Sequence, residues 1–200
     1  MNNQVQKNRF LKDFLVVSSK DGWNLNVFNK VKKKLKYSST LINKLFPKKL
    51  EDLILFYNVA INQELSKIYK KRKFDKKKGI RISILNAVKT RFELMEKNKE
   101  TIKKSLLLFS NPSYQILSSK LIYNTVDHIW KLIGDKSSDY NFYTKRAILA
   151  SIYSFAFFIW INDRSKNLDK TFNFLEKSIM NMNLVTTVKN RLKKTINQFL

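Results

Sequence analysis

Apolar residues recur at steps of three and four along most of the chain, and each such run predicts a helix with one face turned to a core. After Gly22, the residues Leu25, Phe28, Val31 and Leu35 mark an amphipathic helix. Ser38 or Ser39 can cap a short next helix carrying Leu41, Ile42, Leu45 and Phe46, which stops before Pro47. Two helices of this size across a short turn read as a helix-turn-helix. A longer helix over 48–70 places Leu50, Leu53, Ile54, Tyr57, Ile61, Leu65 and Ile68 on one side. The basic stretch from Lys70 to Lys78 is then a solvated connector.

Beyond it the pattern resumes. Ile80 to Glu96 forms a helix with Leu85, Val88, Phe92 and Met95 on one stripe, and Ile102 to Phe109 forms another. Asn111-Pro112 is a start signal, with Asn as cap and Pro in the first turn. That helix runs through Leu117, Leu121, Ile122, Val126, Ile129, Trp130 and Ile133 to Gly134, a C-terminal cap. Ser137 or Ser138 can cap a long helix from Asp139 to about Ile161. Its second half, Ala147 to Ile161, is fifteen residues without a charge. A membrane span needs roughly 20 apolar residues, so this stretch is expected to lie inside the protein, against a second subunit or along a lipid cavity. Leu168, Phe172, Leu175, Ile179 and Met182 mark a further helix. The last segment puts Leu184, Val188, Leu192, Ile196 and Phe199 or Leu200 on one face, with Lys189, Arg191, Lys193 and Lys194 around the rest. The expectation is an all-α protein. A three-helix head with its connecting helix occupies 1–70, a larger helical body 71–183, and a basic amphipathic helix 184–200.

Composition removes several classes of function. Three Gly and two Pro leave little turn chemistry for a β-rich fold. With no Cys there are no disulfides or thiolate metal sites, and one His, His128, supports neither a zinc nor a di-iron centre. Neither a Gly-rich phosphate loop nor a nucleophile–base arrangement appears, so the chain is read as a non-enzyme without cofactor or metal. The net charge of +25 attracts nucleic acid, anionic headgroups and acidic proteins alike. Lys supplies 33 of the 40 basic residues, a bias that codons rich in A and T would also give. Met1 to Phe10 lacks the apolar run of a secretory signal and the Arg- and Ser-rich character of a transit peptide. The expected location is therefore the compartment where the chain is made, taken as the cytoplasm of a bacterium.

The run Asp135 to Tyr153, DKSSDYNFYTKRAILASIY, resembles the signature of the ubiquinone-biosynthesis accessory proteins that stand ninth in the coenzyme Q series. Asp21-Gly22-Trp23, Leu45-Phe46-Pro47, Val126-Asp127 with Trp130, Gly134-Asp135 and Asp163-Arg164-Ser165 follow in the expected order. The resemblance spans roughly residues 10–183. It implies a TetR-like helical bundle, usually a homodimer, whose body binds an isoprenoid quinone precursor or phospholipid. It also implies a patch that docks the di-iron hydroxylase acting on demethoxyubiquinone. The positions matching that patch are Asp127, Ile129, Phe142 and Tyr143. Phe142 stands where relatives commonly have Trp, and Ile129 where Met is familiar; both keep an apolar anchor.

Exposed aromatics at a helix start suit a docking hot spot, which fits Phe142, while Tyr143 reads equally as core or interface. Ile148, Ile152, Phe155 and Ile159 share one face of the long helix, and Leu149, Tyr153, Ala156 and Trp160 share its neighbour. Small residues at Ala147, Ala150, Ser151, Ser154 and Ala156 leave room for a ligand or a close helix. Leu121, Leu149, Ile152, Tyr153, Phe155, Ala156 and Ile159 are the candidate lipid contacts. Leu184, Val188, Arg191, Leu192, Lys193 and Ile196 are the candidate contacts with an anionic membrane surface. His128 beside Asp127 reads as a surface or boundary residue, and Lys145 and Arg146 as ion-pair partners of Asp139. The alternative is a TetR-like transcription regulator using Lys30 to Lys36 on phosphates. Its short second helix offers only Ser38, Ser39, Thr40, Asn43 and Lys44, with no Arg for guanine, so specific DNA binding is not expected.

Overall fold

The computed structural model describes residues 2–72, 79–138 and 140–182. Among them are nine α-helices and no strand: α1 Asn3–Asp21, α2 Leu25–Lys34, α3 Ser39–Leu45, α4 Leu50–Lys71, α5 Ile80–Glu96, α6 Lys99–Phe109, α7 Gln115–Leu132, α8 Tyr140–Asn162 and α9 Asp169–Met180. The all-α expectation holds. The basic connector 73–78 and the C-terminal segment, with the candidate membrane contacts Leu184, Val188, Arg191, Leu192, Lys193 and Ile196, lie outside the described residues.

Helix boundaries follow local chemistry. Asn24 accepts the Val27 N–H and Ser38 accepts the Leu41 N–H, each satisfying a donor that the first turn leaves free. The Asn111 side chain takes the Ser113 N–H, and the first turn over Pro112–Tyr114 is a 3-10 turn leading into α7. At the end of α7, Gly134 takes a φ of 92°, which lets the Asp135 N–H reach back to the Trp130 carbonyl.

The head is larger than the sequence pattern indicated. A further helix, α1, precedes Gly22 and buries Phe10 and Phe14 completely. Phe10 meets Phe28 of α2 and Phe46 after α3, with ring centroids 4.8 and 5.2 Å apart. Val5 is the one apolar residue from Asn3 to Arg9, so the stripe begins only at Phe10 and stays short. Among the described residues the head core is thus built chiefly from α1 to α4, with Leu117 of α7 joining it.

Two cores are present, and α4 belongs to both. Leu50, Leu53 and Ile54 pack into the head, whereas Ile61, Leu65 and Tyr69 pack into the body. The division of the cores therefore runs through the middle of α4, ahead of the boundary near residue 70. In the body α4 packs on α5 and α7, α8 on α7 and α9, and α9 on α5. Phe92, Leu149, Tyr153 and Trp160 meet at its centre, with the Phe92 and Tyr153 rings stacked 5.3 Å apart.

The long helix α8 differs from a fully buried one. By length and composition it could cross a membrane, yet one face is committed to the bundle. Leu149, Ala156 and Trp160 are fully buried there. The opposite face carries Phe155 at 65 % exposure and Phe158 at 60 %.

Candidate functional site

A half-open cavity of about 300 Å³ lies where head and body meet, bounded by α4, α5, α6, α7 and α8 and by Trp23 from the turn before α2. That volume falls within the range of ligand pockets. Most of its wall is apolar, including Ile54, Tyr57, Met95, Phe109, Leu121 and Phe157. It exists because α6 packs on the head while α8 packs on the body, and small residues such as Ser105, Ser118 and Ser154 line the space between.

The deep wall is polar. Arg91 comes from α5, one residue before Phe92 and three after Val88, and is 3 % exposed. Its Nε donates to the Tyr153 hydroxyl at 3.0 Å, and its two terminal nitrogens donate to the side-chain oxygens of Asn58 and Asn62. The Thr125 hydroxyl is 3.2 Å from the Asn58 oxygen and donates to the Leu121 carbonyl at 2.8 Å. The Tyr57 hydroxyl accepts from Asn98 at 3.4 Å, and burial pushes its pKa up. Sequence reading did not single out Arg91, Asn58 or Asn62. The signal was available: Arg91 sits on the same apolar stripe as Val88 and Met95, and Asn58 and Asn62 follow Ile54 at steps of four.

Of the candidate lipid contacts, Leu121 and Tyr153 line this cavity. Leu149 and Ala156 are buried in the body core without lining it, Ile152 and Ile159 are half-buried on another face of α8, and Phe155 faces outward. The face that reaches the cavity is Tyr153, Ser154, Phe157 and Phe158, nearly half a turn away from the Ile152–Phe155–Ile159 face.

The corner between α7 and α8 holds the signature residues. Arg146, 4 % exposed, bonds Asp127 through Nε at 2.8 Å and Asp135 through a terminal nitrogen at 3.2 Å. Lys145 completes the corner on Asp135 at 3.0 Å, and Lys131 on Asp127 at 2.8 Å. Burial alone would raise both carboxyl pKa values, but bonds from Lys131 and Arg146 to Asp127, and from Lys145, Ser137 and Arg146 to Asp135, hold them below the ordinary range. Lys145 and Arg146 thus pair with Asp135 and Asp127; Asp139 lies outside the described residues.

Within the candidate docking patch, Tyr143 is 69 % exposed and Phe142 half-buried, their rings in edge contact at 5.1 Å. The Arg146 guanidinium covers the Phe142 ring at 3.4 Å. Ile129 is fully buried in the body core and presents nothing to a partner. Asp127 is occupied by its two cations.

Nothing here assembles a reaction centre among the described residues. His128 is half-buried, and its Nε2 lies 2.8 Å from the Ser66 hydroxyl, which also donates to the Asn62 carbonyl at 3.1 Å. Desolvation, chiefly, holds the imidazole pKa below its usual value. The neighbouring carboxylate, Asp127, is tied up in the corner.

The COQ9 family is matched over residues 116–186, which include α7, the corner and α8. A protein of Dictyostelium discoideum named probable ubiquinone biosynthesis protein coq9, mitochondrial, is 28 % identical over 148 residues, covering 72 % of this chain and 45 % of that one. The human ubiquinone biosynthesis protein COQ9, mitochondrial, is 28 % identical over 176 residues, covering 84 % and 55 %. In sequence the chain is thus similar to the COQ9 proteins, most clearly over α8 and the corner before it. The rat member is 33 % identical over 105 residues, covering 52 % of this chain and 34 % of its own. The chain spans about half the length of the curated COQ9 relatives it matches first. These comparisons give the DNA-binding alternative no support.

Proposed function

We propose that this chain is a COQ9-family accessory protein of ubiquinone biosynthesis that holds a lipid in the cavity between head and body and presents it to a partner enzyme. The observation that carries this reading is the cavity itself: an apolar space of about 300 Å³, half-open and lined by α8, within the segment that matches the family. Apolar pockets of that size with a few convergent polar groups are the usual form of ligand sites. The lipid is an isoprenoid quinone precursor or a phospholipid tail. The partner is the di-iron demethoxyubiquinone hydroxylase, docked on Tyr143 and Phe142, the two members of the expected patch with rings at the surface. The chain itself supplies no chemistry to the reaction.

The basic segment 184–200 docks the protein on an anionic leaflet, so it works peripheral to an inner membrane. The exposed Phe155 and Phe158 face of α8 is available to a second copy in a homodimer of TetR-like architecture. Uptake from vesicles tests the reading. Vesicles containing a demethoxyubiquinone with a short isoprenoid tail are incubated with the delipidated chain, separated, and the protein fraction extracted. The expected result is quinone carried with the protein, and loss of uptake when Leu121→Trp fills the cavity. Protein free of quinone, or undiminished uptake by Leu121→Trp, would overturn it.

A further inference from the structure

Resting on the cavity being a lipid site, we propose that its occupant enters head first, and that the head is a compact anionic oxygen group received by Arg91. An arginine side chain stays protonated, and burying a charge is costly unless an opposite charge or a full set of hydrogen bonds compensates it. Arg91 has no carboxylate partner among the described residues. Its contacts are two amide oxygens and one phenol, which occupy three of its five N–H groups. The guanidinium lines the cavity with two donors left over. Trp23, 5 % exposed and also lining the cavity, carries an indole N–H with no partner among the described residues.

The gradient of burial sets the direction. Arg91, Asn58 and Thr125 are buried, whereas Phe158 on the same cavity is 60 % exposed. An ordinary surfactant orientation, with head at the mouth and tail inside, would set an apolar tail against an uncompensated cation. The reverse orientation places an anionic oxygen on the guanidinium, where a charge-assisted and bidentate bond is strongest, and leaves the chain along Phe109, Phe157 and Phe158 toward the opening. Aromatic walls at Trp23, Tyr57 and Tyr153 suit a flat head. Two sources offer this chemistry: a fatty carboxylate, or an acidic phenol or hydroxyquinone on an apolar chain.

Matched probe pairs decide the matter, read by quenching or displacement at the tryptophans of the delipidated full chain. One pair is 3-decyl-2-hydroxy-1,4-naphthoquinone, ionised at neutral pH, with its methyl ether. The other is palmitate with methyl palmitate. The expected result is a preference of about tenfold or more for the anion in at least one pair, the worth of one charge-assisted hydrogen bond. The preferred pair names the source. Arg91→Met should abolish that preference while leaving the ether or ester as tightly bound as before, and Arg91→Lys should restore part of it. Equal affinity of anion and neutral analogue in the unmodified chain overturns the role of Arg91 even if every variant fails to fold. It leaves the cavity reading standing, because both members bind. Failure of all four probes to bind, with Leu121→Trp indistinguishable from the parent, overturns the cavity reading and this proposal with it.

Discussion

Arg91 and Arg146 are buried to nearly the same degree, 3 % and 4 % exposed, yet their surroundings are opposite. Arg146 sits between two carboxylates and closes the corner where α7 turns into α8. Arg91 sits among amides and hydroxyls at the deep wall of a cavity. A cation with its counter-charges in place is a structural device: it fixes one loop geometry and has little left to offer a ligand. A cation neutralised only by dipoles is structurally incomplete, and a site that accepts a ligand needs that incompleteness. The charged signature residues at the corner therefore build the scaffold, while Arg91 and Asn58, which face the cavity, carry no recognisable motif.

Acid should separate the two regions most strongly. Asp127 and Asp135 are held below the ordinary carboxylate range by the corner, and Asp163 is likewise depressed: burial opposes its ionisation, but Ser165 and Thr171 hydrogen bonds outweigh it. Groups depressed in the folded state contribute stability above their unfolded pKa of about 4 and lose it as pH falls further toward the folded values. Urea midpoints measured from pH 7 to pH 3 should drop steeply below about pH 4, and Asp127→Asn should flatten part of that drop. An unchanged slope in Asp127→Asn would show that the corner does not govern it.

Next in size is Arg146→Met, which leaves the half-buried Asp127 and Asp135 to Lys131 and Lys145 and should cost about 2 kcal/mol in urea unfolding. Arg91→Met strands only the neutral oxygens of Asn58 and Asn62, so about 1 kcal/mol is expected. Equal losses at the two positions would erase the contrast. Smallest is Tyr143→Ser: at 69 % exposure its stability change should stay within about 0.5 kcal/mol, while pull-down of the hydroxylase should weaken severalfold. Undiminished capture would remove Tyr143 from the docking patch.

Much of the fold was legible in the sequence because strong stripes such as Leu85–Val88–Phe92–Met95 and clean punctuation such as Asn111-Pro112 and Gly134 speak locally. The helix before Gly22 was not, since its first half is almost wholly polar and its buried rings Phe10 and Phe14 find their partners only across the head. The cavity was half legible. Leu121 and Tyr153 were placed on it, but Phe155 was not separable from Phe157 and Phe158 in a helix apolar on every face, where no polar residue marks the outside. Arg91 was hidden for a different reason. Among forty basic residues a single arginine carries no weight until neighbours from α4, α7 and α8 close over it.

The central claim is that the space between head and body holds a lipid rather than side chains or water alone. Native mass spectrometry of the chain purified without detergent stripping, with its extract analysed for lipids, tests it most directly. The account predicts a bound lipid with an apolar chain, a quinone precursor or a phospholipid, absent from Leu121→Trp. A bare protein mass together with a lipid-free extract would contradict it.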